Sequence, residues 1–157
     1  MAKQPRPYTP GQERFGTAFI RVVSKVNAWV FRHSGGRLGA KMIGSKAKIG
    51  LVTTTGAKTG LPRTVALLYL CDGHDVVVVA SKGGMSEHPQ WYGNLVKDPK
   101  VTVEIGGEPR PMIARTASPE EKARLWPMLL DIYKSYDTYQ ARTTRDIPVV
   151  ICSPVPA

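Results

Sequence analysis

The chain has 157 residues, 42% of them hydrophobic and 22% charged. That length suits one domain of the commonest size, about 100 to 150 residues, and the composition excludes disordered, collagen-like and low-complexity classes. The formal net charge is +10, and all of it sits early: residues 1–63 hold 12 Lys and Arg against one acid, Glu13, while the remainder holds 10 against 11. So lopsided an excess points the first part of the chain at an anion, which could be nucleic acid, an acidic membrane surface or a phosphorylated small molecule. No apolar run reaches the roughly 18 residues of a membrane-spanning helix, and Pro5, Pro7 and Pro10 interrupt any secretory apolar segment, so the expected location is the cytoplasm. Two cysteines, Cys71 and Cys152, and three histidines at unrelated spacings suggest neither a disulfide framework nor a metal site.

Residues 1–12 are polar and proline-rich and read as a flexible arm ahead of a single domain, 13–157. From Phe15 the apolar residues Phe15, Phe19, Val22, Val26, Trp29 and Val30 recur at three- and four-residue spacings, which predicts a helix over 13–32. Arg14, Arg21, Lys25 and Arg32 fall on one line of that helix and give it a cationic edge. A glycine-rich basic stretch, His33 to Lys48, follows. Strands are predicted at 49–54, 64–71 and 75–81, the last two joined by a hairpin signal at Asp72-Gly73, then at 101–105 and 110–115 across Gly106-Gly107, and finally at 147–152. Short helices are predicted over 89–96 and from Ser118, where Ser118-Pro119-Glu120-Glu121 combines an N-cap, a first-turn proline and a capping-box glutamate. Short strands joined by tight turns exclude a doubly wound sheet. They predict an α+β fold in which about six antiparallel strands curl into a small barrel with helices outside.

Three segments could carry chemistry. In Thr53 to Arg63, Gly56 and Gly60 permit a tight turn, while hydroxyls, amides, Lys58 and Arg63 could cradle a phosphate. The same residues also fit a solvated hairpin with two surface cations. In Ala80-Ser81-Lys82-Gly83-Gly84 and the following His88 to Asn94, a glycine pair after a strand exposes N–H groups, and Trp91 and Tyr92 offer flat surfaces or a core plug. Tyr133, Tyr136 and Tyr139, at three-residue spacing, could close a substrate pocket with apolar walls and polar tips, or simply pack. No nucleophilic triad, paired carboxylates or dinucleotide fingerprint occurs, which favours chemistry supplied by a bound cofactor.

Taken together, the run Leu51 to Arg63, then Ala80 to Gly84, Pro89 to Leu95, Asp98-Pro99 and Tyr133 to Pro148 resembles the deazaflavin-dependent nitroreductase family of actinobacteria. The resemblance spans nearly the whole chain, Asn27-Ala28-Trp29 included. Members of that family are split β-barrel proteins that use reduced coenzyme F420. The resemblance implies that the cofactor's phosphate and acidic tail meet Ala57, Lys58, Thr59 and Arg63. It implies that the deazaflavin ring lies along Thr64, Val65, Ala66, Leu67 and Leu68, along Val79, Ala80, Ser81 and Lys82, and along Gln90, Trp91, Tyr92, Gly93 and Asn94. Tyr136 would contact ring or substrate, and Ser81 and Tyr136 would act on the acceptor oxygen. Where nitroimidazole-reducing members read Pro-Leu-Tyr, this chain has Leu67-Leu68-Tyr69 one position out of phase, which in a strand turns the phenol to the other face.

The expected function is hydride transfer from reduced F420 to an electron-poor acceptor such as a quinone, an activated alkene or a nitro compound, with non-catalytic storage of F420 or FMN as the alternative. The expected partners are a small-molecule acceptor, no nucleic acid, and an anionic membrane surface met peripherally by helix 13–32.

Overall fold

The computed structural model describes residues 5–34 and 46–156. Of the predicted glycine-rich basic stretch, residues 35–45 lie outside the described residues, as do residues 1–4 of the predicted arm.

Six strands form a closed barrel: β1 (Lys48–Thr55), β2 (Pro62–Asp72), β3 (Asp75–Val79), β4 (Lys100–Ile105), β5 (Glu108–Thr116) and β6 (Val149–Pro154). Their order around the barrel is β1-β2-β3-β6-β5-β4, with every neighbouring pair antiparallel. Closure leaves no strand edge exposed. The β4–β5 turn has both central residues at positive φ, Gly106 at 61° and Gly107 at 83°, the geometry that matches strand twist and that only glycine adopts without strain. β3 stops two residues before the predicted Ser81, because Ser81 takes helical backbone and opens a single tight turn, Lys82–Gly84.

Alternation along each strand creates two cores. Val52, Val76, Val78, Val101, Val103, Met112, Ala114, Val150 and Cys152 fill the barrel, and Trp91 and Leu95 of helix α2 (Gln90–Lys97) plug one end. Val77, Val79, Val149 and Ile151 face outward, where they bury Leu125 and Leu129 of α3 (Pro119–Ile132) and Tyr136 of α4 (Ser135–Arg142). Ser118 caps α3 through the predicted capping box with Glu121. Removing a side chain such as Leu129, 1% exposed, would cost about 2–5 kcal/mol.

The long helix α1 (Pro10–His33) begins three residues before its predicted start, because Thr9 and Gln12 form a capping box and Pro10 suits the first turn. Residues 10–12 therefore belong to the helix rather than to an arm. Just ahead of them, the Tyr8 ring lies 4.4 Å from the Arg142 guanidinium, whose Nη1 donates to the Tyr8 hydroxyl. The docked face of α1 is not its apolar stripe. Ala28 is buried against Leu51 and Ala66, the Thr17 hydroxyl donates to the Met85 sulfur, and Glu13 accepts from the Ser86 N–H and hydroxyl. Phe15 (78% exposed), Phe19, Val22, Val26 and Trp29 (61% exposed) point the other way.

Candidate active site

The β1–β2 connection is a compact loop held by its own backbone: Gly56 N–H donates to the Leu61 carbonyl and Gly60 N–H to the Gly56 carbonyl, both at 2.8 Å. Gly60 sits at φ 68°, a conformation that favours glycine. Helix α2 pins the loop from below. The Asn94 Oδ1 accepts from Ala57 N–H at 3.0 Å, its Nδ2 donates to the Thr54 hydroxyl at 3.1 Å, and Lys97 Nζ donates to the Ala57 carbonyl at 2.6 Å. Both polar groups of the Ala57 backbone are thus taken by α2.

Four cations converge on this end of the barrel. Arg63 reaches Thr59 at 3.4 Å, Arg32 of α1 donates to the Thr64 hydroxyl at 3.2 Å, Lys97 lies on Ala57, and Lys58 is exposed with no hydrogen bond or ion pair among the described residues. Such a set can bind an anion by charge-assisted hydrogen bonds. Arg32 and Lys97 escaped the sequence reading. Lys97 was signalled by its position three residues after Asn94, on the same face of α2, and Arg32 by its place on the cationic edge.

From this loop the outer face of β2 runs through Thr64, Ala66 and Leu68, while Val65, Leu67 and Tyr69 pack on the barrel core. Of residues 64–68, a period of two sends Val65 and Leu67 inside and leaves Thr64, Ala66 and Leu68 on the outer face. The same holds for Val79, outward, against Ala80, inward. Tyr69 faces the barrel. In the third segment, Trp91 is buried in the core and the Asn94 side chain bonds Ala57 and Thr54. Gln90 and Gly93 are exposed, and the Tyr92 hydroxyl lies 2.8 Å from that of Thr116.

Beyond Val79 the chain enters the tight turn that carries Ser81 and Lys82. The Ser81 hydroxyl makes no hydrogen bond among the described residues. The Lys82 side chain is only 12% exposed and pairs at 3.6 Å with the exposed Glu87. Gly84 sits so close to α4 that a Cβ there would lie 2.5 Å from the Tyr139 carbonyl oxygen. Above it, Tyr133, Tyr136 and Tyr139 form one aromatic cluster, with Tyr136 centroids 5.0 Å from Tyr133 and 6.4 Å from Tyr139. The Tyr133 and Tyr139 hydroxyls bond each other at 2.9 Å. The Tyr136 hydroxyl, on a ring 4% exposed, has no such partner among the described residues. Burial, then the neighbouring phenols, hold the Tyr136 proton well above the ordinary phenol range. Burial and the Tyr133 bond do the same for Tyr139.

A family model described as F420H(2)-dependent quinone reductase matches residues 23–154. An F420H(2)-dependent quinone reductase of Mycobacterium tuberculosis is 39% identical over 125 residues, 78% of this chain and 83% of its own. Among solved structures, the F420-H2 dependent reductase FDR-A superposes at TM-score 0.63 with 40% identity, over 67% of this chain and 93% of its own. A domain-swapped dimer superposes at 0.64 with 34% identity, over 82% of this chain and 99% of its own.

The residues present fit such a cofactor. An uncommitted Lys58 beside a backbone-braced loop suits phosphate and carboxylate groups. At the other end of the same outer face, Ser81 and Tyr136, two hydroxyls without hydrogen-bond partners among the described residues, flank apolar walls. On this fold, this arrangement and these matches, the chain belongs to the F420H(2)-dependent quinone reductase family, oxidoreductases whose hydride donor is reduced coenzyme F420.

Proposed function

We propose that the protein reduces a quinone with F420H2 bound along the outer face of β2, and that Ser81 and Tyr136 serve the acceptor oxygen. The observation that carries this reading is the Tyr136 hydroxyl, unpartnered on a buried ring while the two phenols beside it satisfy each other. Reduced F420, when bound, supplies a hydride from C5 of its ring. Lys58, Thr59 and Arg63 hold the phosphate and acidic tail, and Thr64, Ala66, Leu68, Val79 and Lys82 bear on the ring. A quinone that accepts a hydride needs one proton to become a neutral hydroquinone. Tyr136 keeps its proton at working pH and donates a hydrogen bond as charge develops on that oxygen, while the proton that completes the hydroquinone comes from water. Ser81 donates to the same oxygen.

Tyr136→Phe should leave F420 affinity nearly unchanged and slow single-turnover oxidation of the reduced cofactor by a soluble quinone, on the order of 10². A variant as fast as the parent would make Tyr136 a pocket wall. Titration with reduced F420 and with reduced FMN, each followed by quinone addition, separates turnover from storage.

The membrane belongs to the same proposal. Phe15, Phe19, Val22, Val26 and Trp29 occupy an arc of about 80° on α1, opposite the docked Glu13, Thr17 and Ala28, and the line of Arg14, Arg21, Lys25 and Arg32 borders them. No helix of the described residues is long and apolar enough to cross a membrane, so contact would be peripheral, where lipid quinones dissolve. Pairing two copies antiparallel through the stripe would set like-charged edges side by side, which opposes that occupant. Phe19→Ser with Trp29→Ser should abolish co-sedimentation with anionic vesicles and leave reduction of a soluble quinone intact. Unchanged vesicle binding overturns the membrane reading.

A further inference from the structure

Arg145, in the connection between α4 and β6, touches neither the cationic loop nor the tyrosine cluster, yet its guanidinium is committed to one short segment. Nε donates to the Met85 carbonyl at 2.8 Å and Nη2 to the Ser81 carbonyl at 2.7 Å. Nη1 and Nη2 both reach the Ala80 carbonyl at 3.3 Å, and Nη1 lies 3.0 Å from His88 Nδ1. Three backbone carbonyls and one ring nitrogen of residues 80–88 thus converge on a single planar fork.

That segment does not hold itself. Lys82, Gly83 and Gly84 take φ of 45°, 65° and 79°, three successive left-handed residues, and the first is not glycine. The turn's own backbone bonds are Gly84 N–H to the Ser81 carbonyl at 2.9 Å and Met85 N–H to the Lys82 carbonyl at 3.2 Å. A strained conformation persists only where its surroundings over-determine it, and the Arg145 guanidinium does so together with the Tyr139 backbone against which Gly84 packs. Its reach extends to α1, because Met85, held through its carbonyl, receives the Thr17 hydroxyl on its sulfur.

We propose that Arg145 is a positioning residue that fixes the Ala80–Met85 turn, and through it the Ser81 hydroxyl and Lys82 ammonium, for the reaction. The inference rests on the reading of Ser81 as a donor to the acceptor oxygen. Lysine would keep the charge and lose the fork, since an ammonium cannot meet several spread carbonyls in one plane.

The test uses the full chain with bound reduced F420 and a soluble quinone, in the parent, Arg145→Lys, Ser81→Ala and the double variant. Arg145→Lys should hold F420 within about threefold and slow single-turnover transfer about tenfold or more, and Ser81→Ala should then cost little in the lysine background. Multiplicative losses, or a lysine variant that transfers as fast as the parent, overturn the proposal. If Ser81→Ala is silent in the parent, the reading of Ser81 fails. Amide exchange at Gly84 and Met85 then decides alone: faster exchange in Arg145→Lys supports positioning, and unchanged exchange overturns it. Should the lysine variant not fold, Arg145→Gly with added ethylguanidinium replaces it. Restored transfer together with restored dependence on Ser81 supports the proposal, and restored folding without restored transfer overturns it.

Discussion

Lys58 and Asn94 serve the same loop and predict opposite phenotypes. Lys58 is exposed and carries no structural bond, so Lys58→Ala should leave unfolding by urea unchanged and raise the F420 dissociation constant about tenfold, the equivalent of a charge-assisted hydrogen bond. An analogue without phosphate and tail should lose little; equal losses for both ligands would mean that Lys58 acts through the fold. Asn94 is buried and bonds Thr54 and Ala57. Asn94→Ala strands both partners and should cost about 1–3 kcal/mol of stability, with affinity falling only as the loop loosens. Lys58 can be proposed from the sequence alone because an exposed cation needs no partner to be identified. The part Asn94 plays in holding the loop was not legible, because its partners lie 37 and 40 residues away and no local pattern announces them. His88 adds a pH dependence. Burial, then the Arg145 charge, hold its pKa below the ordinary 6.5, so the folded state favours the neutral ring. The stability this contributes is present above pH 6.5 and is lost as pH falls below it, because the unfolded chain then binds the proton more readily. His88→Gln should flatten that part of a stability profile between pH 7.5 and 5.5; an unaltered profile would clear His88.

Helix α1 shows where element-level reading succeeds and where it stops. Its existence, its apolar stripe and its cationic edge follow from spacing alone, and so do the six strands, whose alternation and turn glycines are local signals. Which face docks does not follow. Periodicity names the apolar face, but docking here uses a small residue, Ala28, and polar ones, Thr17 and Glu13, that fit features brought in from residues 51, 66, 85 and 86. The glycine pair 83–84 was legible as the end of a strand, but what holds the turn was not, since the bonds from Arg145 to this segment span 57–65 residues. Glu13 makes the docking titratable. Its two hydrogen bonds from Ser86, first the backbone N–H and then the hydroxyl, hold the carboxyl below its ordinary value of 4.5. A depressed carboxylate stabilises the docked form above the free value and loses that contribution as pH falls through the folded one. The amino-terminal half of α1 should therefore loosen in mild acid, read as faster amide exchange at Ser86, while barrel amides such as Val77 and Val150 stay protected. Glu13→Gln should show the loosened behaviour at neutral pH; a Ser86 amide that stays protected in that variant would mean that Thr17 and Ala28 suffice to hold the helix.

Over the whole molecule the uneven charge becomes a kinetic property. Residues 1–63 carry 12 of the 22 basic side chains and one of the 12 acids, and they include α1 and most of the cationic loop. The family's cofactor carries a phosphate and a glutamate tail, so the field of this half should draw it toward the β1–β2 end before any contact forms. Contact and field separate by salt. The screening length shrinks from about 30 Å at 0.01 M to about 8 Å at 0.15 M, which removes the pull of distant charges and spares bonds already made. F420 association should therefore slow steeply between 0.02 and 0.3 M salt while dissociation changes little, as stopped-flow mixing would read. Arg14, Arg21 and Lys25 make no ion pair with an acid among the described residues and lie outside the loop, so exchanging all three for glutamine should reduce association at low salt and leave dissociation alone. FMN, with a phosphate and no acidic tail, should show a shallower slope on the same protein. If dissociation carries the salt dependence instead, or the triple exchange changes neither rate, the cations of α1 play no part in cofactor capture, and their place beside the exposed aromatic stripe is left to the membrane surface alone.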